Sequence, residues 1–220
     1  MSKLVWDETG SRFYETGVTH GVLYQQDETG AYPKGVAWNG LTAVTESPSG
    51  AEETALYADN MKYASLRSAE TLGMTIEAYQ YPVEFEECDG SAAALDGVYI
   101  GQQTRRPFGF VYRTEIGNDT ASEKDGGYKL HLVYGCTAAP SEAQHQTIND
   151  SPDAVTMSWE ITTNPVAVKG YKPTASITID STKVKDKSKL AALEDILFGK
   201  DDVEPRLPLP DEVISTLTAA

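Results

Sequence analysis

The 220-residue chain contains only two cysteines and three histidines, and no apolar run approaches the ~20 residues that a membrane-spanning helix needs. Cys88 and Cys136 lie far apart and form no Cys-x-x-Cys motif. That spacing excludes a zinc ribbon or a dithiol centre and leaves two free thiols. His20, His131 and His145 include no i, i+4 pair, so the HExxH arrangement of zinc hydrolases is absent. A nucleophile elbow, a phosphate-binding glycine loop and a dinucleotide fingerprint are missing as well. A Cys136–His131 nucleophile and base would have to come within hydrogen-bond reach. They stand five residues apart in one candidate strand, and strand alternation puts them on opposite faces. No catalytic residue, cofactor or metal ligand is therefore assigned, and the chain is expected not to be an enzyme.

Positive charge is also scarce. Lys and Arg number 18 against 33 Asp and Glu, a formal net charge of −15. Such a chain repels a phosphate backbone, and the same charge keeps it soluble. Arg105 and Arg106 make too small a basic patch for nucleic acid, and they are available to pair with acids of a neighbouring subunit. Glu84, Glu86, Glu87 and Asp89 form the densest acidic cluster, but without EF-hand spacing they read as a solvated strand end. Met1–Gly10 carries Asp7 and Glu8 and lacks the apolar stretch of a signal peptide, so synthesis and folding in a cytoplasm are expected.

What is present is a period of two. Val18, His20, Val22 and Tyr24 share one face of a candidate strand. Leu72, Met74, Ile76 and Ala78 share a face of Glu70–Tyr81, with Thr71, Thr75, Glu77 and Tyr79 opposite. Phe108, Phe110 and Tyr112 align, as do Tyr128, Leu130, Leu132 and Tyr134. Val155, Met157, Trp159 and Ile161 alternate with Thr156, Ser158, Glu160 and Thr162, and Ala175, Ile177 and Ile179 with Thr174, Ser176 and Thr178. Six such segments, rich in β-branched and aromatic residues, predict a mainly β chain, an antiparallel β-sandwich. Most of the 12 tyrosines and 3 tryptophans fall at strand period and read as core.

One or two helices flank the strands. Leu190, Leu193 and Leu197 recur at helical spacing, Asp186 or Ser188 can cap the start, and Gly199 follows the end. A short second helix is expected from Asp89 through the alanines at 92–94. The whole of 1–220 reads as one domain with an N-terminal arm at 1–17. A long loop at 46–59 opens on the breakers Ser47, Pro48, Ser49 and Gly50, and a Pro-rich extended tail occupies 200–220.

The run WNGLTAVTESPSGAEETALYADNMKYASLRSAETLGMTIEAYQYPVEFEECDG from Trp38 resembles the front half of major tail tube proteins of long-tailed (siphovirus-type) phages and prophages of Gram-positive bacteria. FGFVYRTEIGND from Phe108, GYKLHLVYGCTAAPSEAQHQTINDSPDAVTMSWEITTNPVAV from Gly127, and KPTASITIDS with KLAALEDILFG extend the resemblance over nearly all of the chain beyond the arm. Its specificity lies in order and spacing, not in any single motif. It implies a β-sandwich flanked by a helix that forms hexameric rings, stacked into a tube and lined by a closed inter-subunit β-barrel. DNA would pass through the lumen without specific binding. The implied partners are other copies of the chain, the tape measure protein, and the tail-tip and tail terminator proteins, in a virion tail assembled in the host cytoplasm, with no membrane. In this family the long early loop reaches the adjacent ring. That would bury Ala55, Leu56 and Tyr57 there and let Glu52, Glu53 and Asp59 set register. Glu77 and Glu160, on polar strand faces, are the lumen-lining candidates. The alternatives are the tube of a phage-tail-like bacteriocin, a decoration protein, a carbohydrate-binding module, and an acidic glycoside hydrolase, which would need two facing carboxylates.

Overall fold

In a computed structural model the described residues are 4–120, 126–142, 144–145, 147 and 154–218. They form β1 (Phe13–Gln25), β2 (Gly35–Trp38), β3 (Leu41–Gly50), β4 (Glu53–Ala58), β5 (Met61–Arg67), β6 (Glu70–Ala78), α1 (Phe85–Asp89), β7 (Ala92–Leu95), β8 (Val98–Ile100), β9 (Phe108–Asn118), β10 (Tyr128–Ala138), β11 (Met157–Thr163), β12 (Ser176–Asp180), α2 (Lys187–Phe198) and α3 (Pro210–Thr218). The chain is mainly β. Its principal sheet is antiparallel, in the order β2-β1-β9-β10-β11-β6-β3, with β12 also on β10.

β10 serves both halves of a sandwich-like arrangement. Its residues Lys129–Val133 pair with β12, and Cys136–Ala138 pair with β11. The sheet curls at this strand, and β6, β11 and β3 fold over β9, β1 and β2. The curl brings the start of β3 against β1, where a Cβ on Gly21 would lie 2.3 Å from Leu41 Cδ1. Among the described residues the sheet does not close into a barrel: β3 and β2 stand at the two ends of its strand order.

Two apolar clusters follow from strand alternation. One lies inside the curl: Leu23, Trp38, Met74, Ile76, Phe108, Phe110, Val133 and Trp159 meet with Phe85 of α1. Its rings pack at steep angles, Trp38 tilted against Phe85 with centroids 4.6 Å apart and Phe85 edge-on to Trp159 at 5.2 Å, a geometry that adds to the burial of area. The other lies on the opposite face of β1, β9 and β10, where Val22, Tyr24, Val111, Leu130, Leu132 and Tyr134 pack under Leu190, Leu193 and Leu197 of α2 and Val213 of α3. Asp186 caps α2 by accepting from Ser188 N at 2.9 Å, and Gly199 follows its last turn.

Several sequence expectations need correction. The stretch 46–59 is not a structureless loop. β3 runs on to Gly50 along β6, and β4 then pairs with β5 in a second hairpin. The segment 200–220 is not an extended tail. Leu207 bridges Tyr32, α3 starts at Pro210, and Leu207 and Val213 enter the core. Proline suits that first turn, where its missing N–H has no partner to lose. Within 1–17, β1 already begins at Phe13, opposite Asn118. The helix near Asp89 ends there instead of starting there, because Gly90 takes a left-handed φ of 85°; the alanines form β7.

Two bulges redirect faces. β1 shifts register around Thr19, with Gly17 and His20 at positive φ, so Val18 joins the inner cluster while Val22 and Tyr24 join the outer one. β10 shifts between Val133 and Cys136, with Gly135 at φ 61°. Cys136 therefore lies on the same side as His131, contrary to simple alternation. It is completely buried, and His131 instead contacts Thr114, Tyr112 and Glu15. Burial pushes the Cys88 thiol up to about 12 and the Cys136 thiol up as well.

Candidate assembly interface

The hairpin β4–β5 is built by its turn. Ala58 pairs with Met61, so Asp59 and Asn60 form a two-residue loop with φ of 50° and 62°, the paired positive values of a type I′ turn. The Glu53 carboxylate binds Lys62 Nζ and Ser65 Oγ, with Arg67 3.8 Å away. These partners, on an otherwise exposed carboxylate, hold it below its usual value. Glu53 is thus committed within its own hairpin rather than free to set register elsewhere. Glu52 stands just before β4, its backbone N–H bound to Ser68 Oγ. Ala55 is half-buried.

The hairpin leaves apolar side chains in water. Tyr57 is 73% exposed and Tyr63 78%, and Leu56, Met61 and Leu66 are exposed too. Met61, Tyr63 and Leu66 lie beyond Asp59, where the loop expected from the sequence ends. A smaller hairpin, β7–β8, turns at Asp96–Gly97 and exposes Leu95, Val98, Tyr99 and Ile100. Between the hairpin root and the outer layer lies a cleft of about 1220 Å³, lined by Arg67, Glu70, Val168, Tyr171, Ile177 and Ile214. The tyrosines do not behave as expected: Tyr14, Tyr57, Tyr63, Tyr79, Tyr81, Tyr99 and Tyr171 are exposed, seven of the 12.

Glu77 and Glu160 come together on the outward face of β6 and β11. Glu77 stands opposite Ser158, and Glu160 opposite Thr75. They are therefore diagonal neighbours on one face. Thr45, Ser47, Ser49, Thr71, Gly73 and Thr162 continue that face across β3, β6 and β11, which carries hydroxyls, glycine and carboxylates but no basic residue in these registers. β3 itself borders this face with a free edge.

Arg105 and Arg106 are engaged within their own chain. Arg106 Nη1 lies 3.0 Å from Glu87 Oε2 and Arg105 Nη2 4.0 Å from Asp89 Oδ1, so the acidic cluster around α1 is their partner. Burial raises the Asp89 carboxyl above its usual range against the pull of Arg105. Among the described residues no group of three or more His, Cys, Asp and Glu is placed to hold a metal, and no helix is long and apolar enough to cross a membrane.

No protein-family model and no curated protein sequence matches the chain. Among solved structures it is similar to a chain of the extended sheath–tube complex of an extracellular contractile injection system, PVC. The TM-score is 0.31 at 12% identity, over 73% of this chain and 88% of that one.

Proposed function

We propose that this chain is a non-catalytic structural subunit that polymerises into a hollow tail tube of the siphovirus kind. The observation that carries this is the β4–β5 hairpin, a two-stranded ribbon with five exposed large apolar side chains. An isolated ribbon is marginal in water, and exposed apolar clusters of this kind mark contact surfaces. Its complement in this reading is another copy in the next ring. The free edges of β3 and β2 suit edge-to-edge pairing, which would turn the polar β3-β6-β11 face into part of a closed inter-subunit barrel. Head-to-tail contacts that close give rings, and those that do not give filaments. Hexameric rings, a lumen occupied first by a tape measure protein and then by passing DNA, and tail-tip and terminator partners complete the proposal. A bacteriocin tube would use the same subunit.

Electron microscopy of the concentrated protein, alone and with a tail-tip initiator, tests it. Rings or tubes are expected. Strictly monomeric behaviour under both conditions overturns the proposal. The exposed tyrosines favour a second reading, a sugar-binding surface, which specific binding on a glycan array without self-assembly would establish instead.

A further inference from the structure

The arm ahead of β1 carries apolar side chains that its own copy does not cover. Leu4 and Val5 are exposed and Trp6 is 75% exposed, while the other two tryptophans, Trp38 and Trp159, are buried. The base of the arm is held in place. Gly10 N donates to Asp119 Oδ1 at 3.0 Å, Asn118 Nδ2 donates to Gly10 O at 2.8 Å, and Arg12 Nη2 donates to Asp7 O at 2.7 Å. These bonds fix the backbone and leave three apolar side chains in water, an arrangement that marks a contact surface. Asp7 and Glu8 follow directly in sequence. Among the described residues neither carboxylate has an ion-pair partner, and Arg12, the nearest base, lies 3.9 Å from Asp119 instead.

The cleft of about 1220 Å³ beside the hairpin root is complementary to this arm. Val168, Tyr171, Ile177 and Ile214 give it an apolar lining with room for an indole and two aliphatic side chains. Arg67 and Lys172 stand on its wall against a single carboxylate, Glu70. Base outnumbers acid there, in a chain whose acids outnumber its bases 33 to 18. The Arg67 side chain is 74% exposed and 3.8 Å from Glu53, so it can face a second acid. Apolar side chains followed by two carboxylates thus match an apolar lining flanked by two cations. The arm cannot fill the cleft of its own copy. Gly10 is tied to Asn118, whereas Ile177 pairs with Leu132 and through it stands level with Val111. From Asn118 to Val111 β9 spans about 23 Å, and β12 lies two strand spacings, about 10 Å, to the side. From Gly10 to Leu4 the arm reaches at most about 22 Å, and Trp6 reaches less.

We infer that residues 4–8 of one copy seat in the cleft of a second copy, with Trp6 as the anchor in the apolar lining and Asp7 and Glu8 turned to Arg67 and Lys172. Tryptophan is among the residues that most often anchor a protein contact. Arm and cleft are different surfaces, so the contact is heterologous. It links copies head to tail, and any open chain of copies keeps a free arm at one end and a free cleft at the other. The contact uses neither the exposed apolar side chains of β4–β5 nor the sheet edges, so it stands or falls apart from the tube reading.

Photo-crosslinking reads the contact. Trp6→p-benzoylphenylalanine places a benzophenone on the arm, and mass spectrometry of mixed heavy-isotope and light copies separates crosslinks between copies from those within one. Heavy–light crosslinks on 165–177, with a yield that rises with concentration, are expected. Lys172→Glu should lower that yield about three- to tenfold, and Asp7→Lys added to it should bring the yield back. Tyr171→Asp, at a position exposed in the single copy, should lower it as well. In the wild type, the acrylamide quenching of Trp6 should fall as concentration rises. Crosslinks confined to one copy, heavy–light crosslinks outside the cleft, no crosslink at any concentration, or a yield untouched by Lys172→Glu and Tyr171→Asp overturns the inference. The same benzophenone at Tyr63 landing on 165–177 would give the cleft to the hairpin ribbon and overturn it too.

Discussion

Gly135 shows how one residue can redirect a strand. At φ 61°, a Cβ added there would meet Asn164 O at 2.2 Å, a backbone atom that cannot swing away. Left-handed backbone alone costs an L-residue about 1–2 kcal/mol, and the clash adds to it. Gly135→Ala should destabilise the protein by at least about 2 kcal/mol in urea unfolding; an unchanged midpoint would mean that β10 can straighten. The bulge also seals Cys136 into the inner cluster. With both thiols buried and pushed up, Cys88 and Cys136 should resist a disulfide reagent at pH about 8, near a free thiol's range, and react at once after denaturation. Rapid labelling of the native protein would contradict the packing. Tyr24 and Tyr134 carry their hydroxyls into the outer cluster and satisfy them on Leu197 O at 2.6 Å and Pro208 O at 3.0 Å. Tyr24→Phe should cost about 1 kcal/mol, because it leaves a buried carbonyl without its donor.

The elements were legible where one period ran unbroken. In β6, Leu72, Met74, Ile76 and Ala78 turn to one side as their spacing requires, and the Leu190–Leu193–Leu197 stripe places α2 on the sheet. Legibility ended where a turn, rather than a period, makes the element. Asp59–Asn60 and Asp96–Gly97 each separate apolar runs by two residues, the short-range signal of a tight hairpin. Beside Pro48 and Gly50 the first lies in a stretch that reads as a loop, and the alanines at 92–94 ahead of the second read as a helix. Pro48 is tolerated because β3 is an edge strand and can lose a ladder donor. The bulges in β1 and β10 also escaped the sequence, since a glycine or histidine at positive φ is set by packing on both faces. The candidate surface was half visible: Leu56 and Tyr57 were read as contact residues, but Tyr63 and Leu66 across the ladder were not. Replacing Glu53–Arg67 with an Asn-Gly turn between Glu52 and Ser68 removes the ribbon without touching either cluster. A soluble, folded protein with an unchanged β-type circular-dichroism spectrum that builds neither rings nor tubes is the expected result. Normal tubes would show that the contact lies elsewhere, and a chain that fails to fold would show that the hairpin supports the core.

For the whole molecule, charge decides what an assembled surface does to DNA. A net charge of −15 is carried by every copy, and assembly multiplies it. The hydroxyl-rich face of β3, β6 and β11 concentrates two carboxylates, Glu77 and Glu160, on neighbouring strands, with no basic residue in those registers to compensate them. If that face lines a lumen, a duplex inside meets repulsion and short neutral side chains, and it has nothing to hold. Wild-type assemblies should therefore show no measurable affinity for duplex DNA at physiological salt. The double substitution Glu77→Lys with Glu160→Lys reverses both charges where they face outward, away from the inner cluster, so folding and assembly should survive. Polymers of the double variant should then retain DNA with an affinity that falls steeply with added salt, because each lysine–phosphate contact releases about one counterion. Anisotropy of a labelled duplex on wild-type and variant assemblies at several salt concentrations reads both halves of this prediction. Salt-sensitive micromolar binding by the wild type would contradict a non-stick conduit. Variant polymers that still ignore DNA would move Glu77 and Glu160 to the outside of the tube or to a subunit contact.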